Sequence, residues 1–397
     1  MSNVSMASAL RPLMRQAGPS KLISTLPRQF SSTARNAVRA IFSETDNVEL
    51  NTILNSIQET IILPAHLPTK QRKLVFNPRN RSHLEQNPII IEVEGLEHKF
   101  SPIDRSKDIE NSKTALFRAL TKMQSAEDWA NLPTLLAGYQ KAGIKLKDDH
   151  MGRIARLAGT NGQIYTIIEC AKQSSKTGLL FRTPEIAVRT LASVNDKITE
   201  SSWDANETKQ ALKWTETVLD LLQRPEHAPI AQNTRDRLHF SRIVRGLALF
   251  ARASAAKVGQ VSEREMNLLK DEVTLLASLW EDAVNKDLWD VPEFANLNPT
   301  VERYAGEHGD SPRHRQALPG SAYVQTFAQY IKGIELAEEV LGGEAKALSP
   351  ILNTLKSHLQ DFAARSPNKA DRWEEEYEKV MGSKPNWSTA APWTPKS

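Results

Sequence analysis

From about residue 108 onward, apolar residues recur at three- and four-residue steps, the spacing that puts them on one face of a helix. Trp129, Leu132, Leu135, Leu136 and Tyr139 form one such stripe. Ser125 with Asp128 makes a capping box ahead of it, Pro133 inside it predicts a kink, and Gly143 ends it. A second helix is expected from Asp149 to Gly159, and "GTNG" (159–162) is a turn. A third helix runs to Gly178. A fourth starts with Thr183 as cap and Pro184 in the first turn, and reaches about Asn195. The polar stretch "NDKITESSWDANET" that follows reads as an insert.

The C-terminal half is helical without that regularity. Met266, Leu269, Val273, Leu276, Trp280 and Ala283 make one long stripe, too short for a coiled-coil dimer and suited to an antiparallel pair within the fold. Residues 290–320 read as a long polar loop. Helices are expected near 321–341 and 347–364, then an acidic one in "NKADRWEEEYEKVM" that stops at Gly382.

The N-terminal part differs. Residues 38–61 suggest one helix. Residues 64–87, with three prolines and weak periodicity, read as an extended arm. In "PIIIEVEGLEHKF" (88–100), Ile89, Ile91 and Val93 alternate with Ile90, Glu92 and Glu94, and Gly95 marks the turn of a small β-hairpin.

Two triplets of basic, small, Gly recur 35 residues apart, "KAGI" at Lys141 and "KTGL" at Lys176. Units near 106–140, 141–175 and 176–222 follow. This pattern of paired short helices resembles the pentatricopeptide repeat and looks like fungal mitochondrial proteins of that helical-repeat type. The resemblance implies an α-solenoid, a place in an organelle and an RNA partner. The expected class is therefore all-α, a solenoid-like array of helical hairpins with a small N-terminal β-hairpin and an extended arm. Its expected divisions are 1–37, 38–105, 106–255 (the repeats), 256–366 and 367–397.

Charge changes this picture at the N-terminus. The first acid is Glu44, and Arg11, Arg15, Lys21, Arg28 and Arg35 lie within 1–37 among frequent serines. That is the composition of a mitochondrial transit peptide. "RQFSSTARNA" resembles the two-step processing site of mitochondrial precursors. It implies cuts after Gln29 and Ala37, with Arg28 and Phe30 as recognition residues. The whole chain has 51 basic and 47 acidic residues. Without the five basic residues of 1–37, 46 face 47 and the formal charge is −1. Only local basic strips, not global pI, can then argue for nucleic acid.

Three strips stand out. Lys70, Arg72, Lys73, Arg79 and Arg81 lie in an acid-free run, with Phe76 placed to stack on a base. Lys141, Lys145 and Lys147 precede Arg153 and Arg156, which share a helix face, although Asp148 and Asp149 dilute the group. Arg235, Arg237, Arg242 and Arg245 form the third, for which an ordinary salt-bridged face is the alternative. Trp387 and Trp393, on the Pro-stiffened tail, are candidate partner anchors, or else cover the protein's own helices.

Catalytic chemistry is not encoded in any motif: there is no phosphate-binding Gly-rich loop, His-Glu-x-x-His or nucleophile elbow. His308, Asp310 and His314 have no helical spacing for a metal, and Cys170 is expected to be an inert core thiol. No apolar run approaches the ~20 residues of a membrane span. We therefore expect a non-enzyme of the mitochondrial matrix without cofactor or metal. Its expected partners are mitochondrial rRNA or mRNA and ribosomal or other proteins, not DNA. The leading expectation is a peripheral mitochondrial ribosome component or RNA-associated translation factor. The alternative is a protein-only scaffold or assembly factor for a respiratory complex.

Overall fold

Asn47 starts the first helix. Its side chain accepts the Leu50 amide at 3.0 Å and donates to the Lys122 carbonyl at 3.1 Å, so one residue caps α1 (Val48–Ile57) and ties it to a later helix. The computed structural model describes residues 41–104, 109–228, 237–259, 262–299, 317–365 and 372–387. These belong to one unit, Val38–Ser397.

The helix expected over 38–61 begins later, at Val48, and continues through a π turn (Gln58–Ile62) into α2 (Leu63–Ala65). Pro64 explains the wide turn. It has no N–H to offer the ladder, and the chain closes instead with the Leu63 amide on the Gln58 carbonyl.

The extended arm is not found. Residues 69–86 form α3 (Thr69–Val75), a 3₁₀ turn (Pro78–Asn80) and α4 (Arg81–Gln86). Pro68 sits just before one helix and Pro78 opens the 3₁₀ turn, positions where a fixed φ favours helix and the missing N–H costs nothing. Leu67, Val75 and Leu84 bury against Val93, Phe100 and Ile103 in a small core of their own. The hairpin is as expected: β1 (Ile90–Val93) pairs antiparallel with β2 (Leu96–Lys99), Val93 facing Leu96. Glu94 and Gly95, with φ of 53° and 83°, make the two-residue turn.

Three helical hairpins follow. The first is α5 (Ser112–Lys122) with α6 (Ala126–Trp129) and α7 (Leu132–Lys141). The Ser125–Asp128 capping box forms as expected. Pro133 does not kink one helix; it lies in the first turn of a new one. The second hairpin is α8 (Asp148–Thr160) with α9 (Ile164–Lys172) and the one-turn α10 (Ser174–Thr177). The third is α11 (Pro184–Glu200) with α12 (Ala205–Gln223). The expected insert is not a loop. Asn195, Ile198 and Thr199 stay buried on α11, Thr208 and Ala211 on α12, and the polar letters are their solvent faces. Ser202 and Trp203, at φ 52° and 59°, turn the corner.

The C-terminal half is built on α13 (Arg242–Lys257), α14 (Glu263–Trp280), a short α15 (Pro292–Ala295), α16 (Gly320–Leu341), α17 (Ser349–Arg365) and α18 (Trp373–Met381). Helix α16 is buried on almost all sides and packs on α11, α13, α14, α17 and α18. The long polar loop is corrected in part: Val291, Phe294, Leu297 and Leu318 are core residues. Buried amides stitch α11, α13 and α16 together. Asn195 donates to the Leu247 carbonyl at 3.0 Å, and Gln329 donates to the Ala192 carbonyl at 3.0 Å. Unpaired, each would cost about 1–3 kcal/mol, so the ladder fixes the relative setting of three helices.

Candidate nucleic-acid interface

The first basic strip is helical. Lys70 and Lys73 lie three apart on α3, both exposed, with Arg72 half-buried between them. The Asn77 side chain accepts the Arg79 amide at 3.1 Å and so holds the 3₁₀ turn that carries exposed Arg79. Arg81 is an i,i+4 partner of Glu85 at 3.5 Å, with 75% and 63% of the two side chains exposed. Such a pair is worth little and opens readily. Lys70, Arg72, Lys73 and Arg79 form no ion pair with any described residue. Phe76 is half-buried against the small core, so its ring is engaged on one side.

Distance in sequence hid the link to the second strip. Lys141, the last residue of α7, places Nζ 3.0 Å from His66 Nδ1, three residues before α3. Burial and Lys141 hold the His66 pKa below its ordinary value, against an opposing effect of Glu94. Neutral His66 accepts a hydrogen bond from the Lys141 ammonium, which leaves the positive charge on Lys141. Lys145 and Lys147 are exposed. Asp148 and Asp149 stand in the first turn of α8, where carboxylates favour the helix N-terminus.

Arg153 and Arg156, both exposed on α8, line different depressions. The Arg153 guanidinium lies 4.1 Å above the ring of Phe117 on α5, and His150 stacks on the same ring at 5.8 Å. They line a cleft of about 630 Å³ between α5 and α8 with Lys113, Arg118 and Lys122. Arg118 is paired with Glu110 and Lys122 with Glu49, both at 2.8 Å. Arg156 lines a different depression, beside Arg189. Sequence reasoning missed this α5 side. The signal was Phe117, the large apolar residue that falls off the stripe of Ala115, Leu116, Ala119 and Leu120.

The third strip is a salt-bridged face. Arg242 donates to Asp282 at 2.6 Å, to Glu293 at 3.2 Å and to the Leu279 carbonyl at 2.7 Å. Arg245 reaches Glu272 at 3.1 Å. Burial pushes the Glu272 carboxyl up, and Arg245 and Arg252 pull it back. Arg235 lies outside the described residues.

Trp387 is corrected as an exposed anchor. Only 9% of it is accessible, and it meets Tyr377 of α18 edge-on at 5.5 Å. Trp393 lies outside the described residues, as do Arg28, Gln29, Phe30, Ala37, His308, Asp310 and His314. Among the described residues no group of His, Cys, Asp and Glu could hold a metal ion, and no helix is long and apolar enough to cross a membrane. Cys170 is fully buried, and burial raises its thiol pKa far above the ordinary value. A thiolate does not form there.

The described residues thus form helical hairpins that carry two cationic surfaces. Comparison with known proteins gives it a family. A family model described as mitochondrial ribosomal protein mS27 matches residues 28–382. The small ribosomal subunit protein mS27 of Neurospora crassa is 29% identical over 370 residues, covering 81% of this chain and 92% of that protein. The match spans the small core, the three hairpins and the α16-centred half together. The chain belongs to the mitochondrial ribosomal protein mS27 family, and by that membership it is a non-enzymatic component of the mitochondrial ribosome.

Proposed function

We propose that the chain sits on the small subunit of the mitochondrial ribosome, in the matrix, and grips rRNA phosphates with the α3–α4 surface. The subunit is the one named for the Neurospora relative. The observation that carries the RNA contact is the acid-free run from Lys70 to Arg79, whose cations Lys70, Arg72, Lys73 and Arg79 form no ion pair with any described residue and are continued by Lys141 through His66. Each phosphate neutralised releases condensed counterions and steepens the salt slope, by about 0.7 on a single strand and about 0.9 on duplex B-DNA. The α5–α8 cleft with Arg153 and Phe117 is a second contact of the same kind. Gly143 and Gly178, both left-handed at φ 74° and 70°, close the first two hairpins at the repeat spacing, which supports the pentatricopeptide-like solenoid reading. Base-specific readout forms no part of this reading.

The test is a triple variant, Lys70→Glu, Lys73→Glu and Arg79→Glu, followed through sucrose gradients of solubilised mitochondria. At moderate salt the wild type sediments with the small subunit and ribonuclease releases it, while the variant stays at the top. A variant that sediments like wild type across the salt series sinks the α3–α4 assignment.

A further inference from the structure

Tyr165 of α9 and Trp214 of α12 stack across the seam between the second and third hairpins, their ring centroids 4.9 Å apart. Tyr165 is 36% exposed and is among the few large apolar side chains so open to solvent in the described residues. An ammonium lies over each ring. Lys172 Nζ is 5.3 Å from the Tyr165 centroid and Lys197 Nζ is 5.2 Å from that of Trp214. The pair borders a groove of about 850 Å³, lined mainly by α12 and reaching Glu265 of α14.

The acids of this groove already have partners. Glu207 pairs with Lys197, Glu216 with Arg252 at 3.2 Å, and Glu265 accepts the amide and hydroxyl of Ser262 at 2.6 and 2.8 Å. Lys172 is held by Glu169 at 2.7 Å. Lys209 and Lys213, one turn apart and exposed on α12, pair with no described residue. Counted over the lining, Lys172, Lys209 and Lys213 balance Glu207, Glu216 and Glu265. A phosphate backbone carries a negative charge at every step and so sets some of them against Glu207, Glu216 and Glu265, whereas a peptide can place its few carboxylates at Lys209 and Lys213 alone. A protein segment has lighter requirements. It needs one or two carboxylates for the unpaired lysines and an apolar side chain against the aromatic edges, the kind of anchor that dominates interface energies.

We propose that this groove docks an acidic segment of a neighbouring ribosomal protein. An apolar side chain sits against Tyr165 and Trp214, and carboxylates meet Lys209 and Lys213. The inference rests on membership in the ribosome and not on the α3–α4 RNA contact, so the two fail separately.

The test places a photo-reactive benzoylphenylalanine at exposed Gln210, within the groove, in the full chain assembled into mitochondrial ribosomes. If that position impairs assembly, Thr217, two turns further along α12, takes the probe. On irradiation the probe links to a protein segment that carries Asp or Glu beside an apolar residue. Adding Lys209→Glu with Lys213→Glu lowers the yield about ten-fold, and Lys209→Arg with Lys213→Arg leaves it within about two-fold. A link to rRNA, a link to a basic segment, no link at all, or indifference to charge reversal overturns the proposal.

Discussion

Gly333 of α16 rests directly on the backbone of Phe250 in α13: a Cβ added there would stand 2.8 Å from both the Phe250 amide nitrogen and its Cα. Backbone cannot move aside as a flexible side chain can. Gly333→Ala therefore forces the two central helices apart, with an expected loss of about 2–3 kcal/mol. Gly343→Ala is the control, because nothing lies within 4 Å of its added Cβ. Urea denaturation of both variants checks this. Equal midpoints would mean that the α13–α16 contact is not close.

Between α14 and α16, the Tyr330 hydroxyl accepts the indole N–H of Trp280 at 2.7 Å. Tyr330→Phe leaves that buried donor without a partner and is expected to cost about 1–3 kcal/mol. Trp280 emission should shift with the loss of the bond, while the folded secondary structure seen by circular dichroism stays unchanged.

Buried His358 and half-buried Asp196 set opposite pH slopes. Burial pushes His358 down to about 4 from 6.5, against weaker pulls from Asp287 and Asp361. The unfolded chain binds that proton first, so stability is lost as pH falls from about 6.5 to about 4, by at most about 3 kcal/mol. Burial pushes Asp196 up to about 7 from 3.8; Lys379 opposes this, and Glu200 and Glu376 add to it. There the folded state holds the proton longer, so stability falls as pH rises from about 4 to about 7. Asp196→Asn should flatten the upper limb of a melting-temperature profile, and His358→Gln the acid limb. Unchanged profiles in both would refute the assignments.

Arginines of similar spacing should part company in function. Removing Arg245 leaves Glu272 buried with Arg252 as its remaining partner at 3.5 Å. A cost of up to about 3–5 kcal/mol is expected for Arg245→Ala, since an uncompensated buried charge is worse than no pair. Lys70→Ala and Lys73→Ala should leave the melting temperature alone and weaken ribosome association with salt. A stability loss in the lysine variants would mean that they are structural.

Much of the fold was legible where one residue decides a local event. Ser125 with Asp128 caps, Pro184 opens a helix, and Gly143, Gly178 and Gly382 end the preceding turns in left-handed geometry. The same prolines misled in 64–87. Pro64, Pro68 and Pro78 break helices in the interior but are harmless at first turns, and sequence does not say which applies until Leu67, Val75 and Leu84 find their core. The site was read in pieces. Lys70 and Lys141 were both marked, but what joins them is His66, 75 residues from Lys141. Arg242 looked like Lys70 in sequence because its partners, Asp282 and Glu293, lie 40 and 51 residues away. For Trp387 the sequence left open a partner's pocket or the protein's own helices, because Tyr377, the aromatic surface it meets, is one letter of an acidic helix.

The central position of α16 has a consequence for delivery. A chain that reaches its compartment N-terminus first presents α11 and α13 well before residues 320–341 arrive. Until then Asn195 and the Ala192 carbonyl wait for Gln329 to complete the ladder, and the faces of Leu247 and Phe250 stay wet. Contacts of such sequence separation close late. In a chain that emerges N-terminus first, the last packing step therefore waits on the final fifth of the polypeptide.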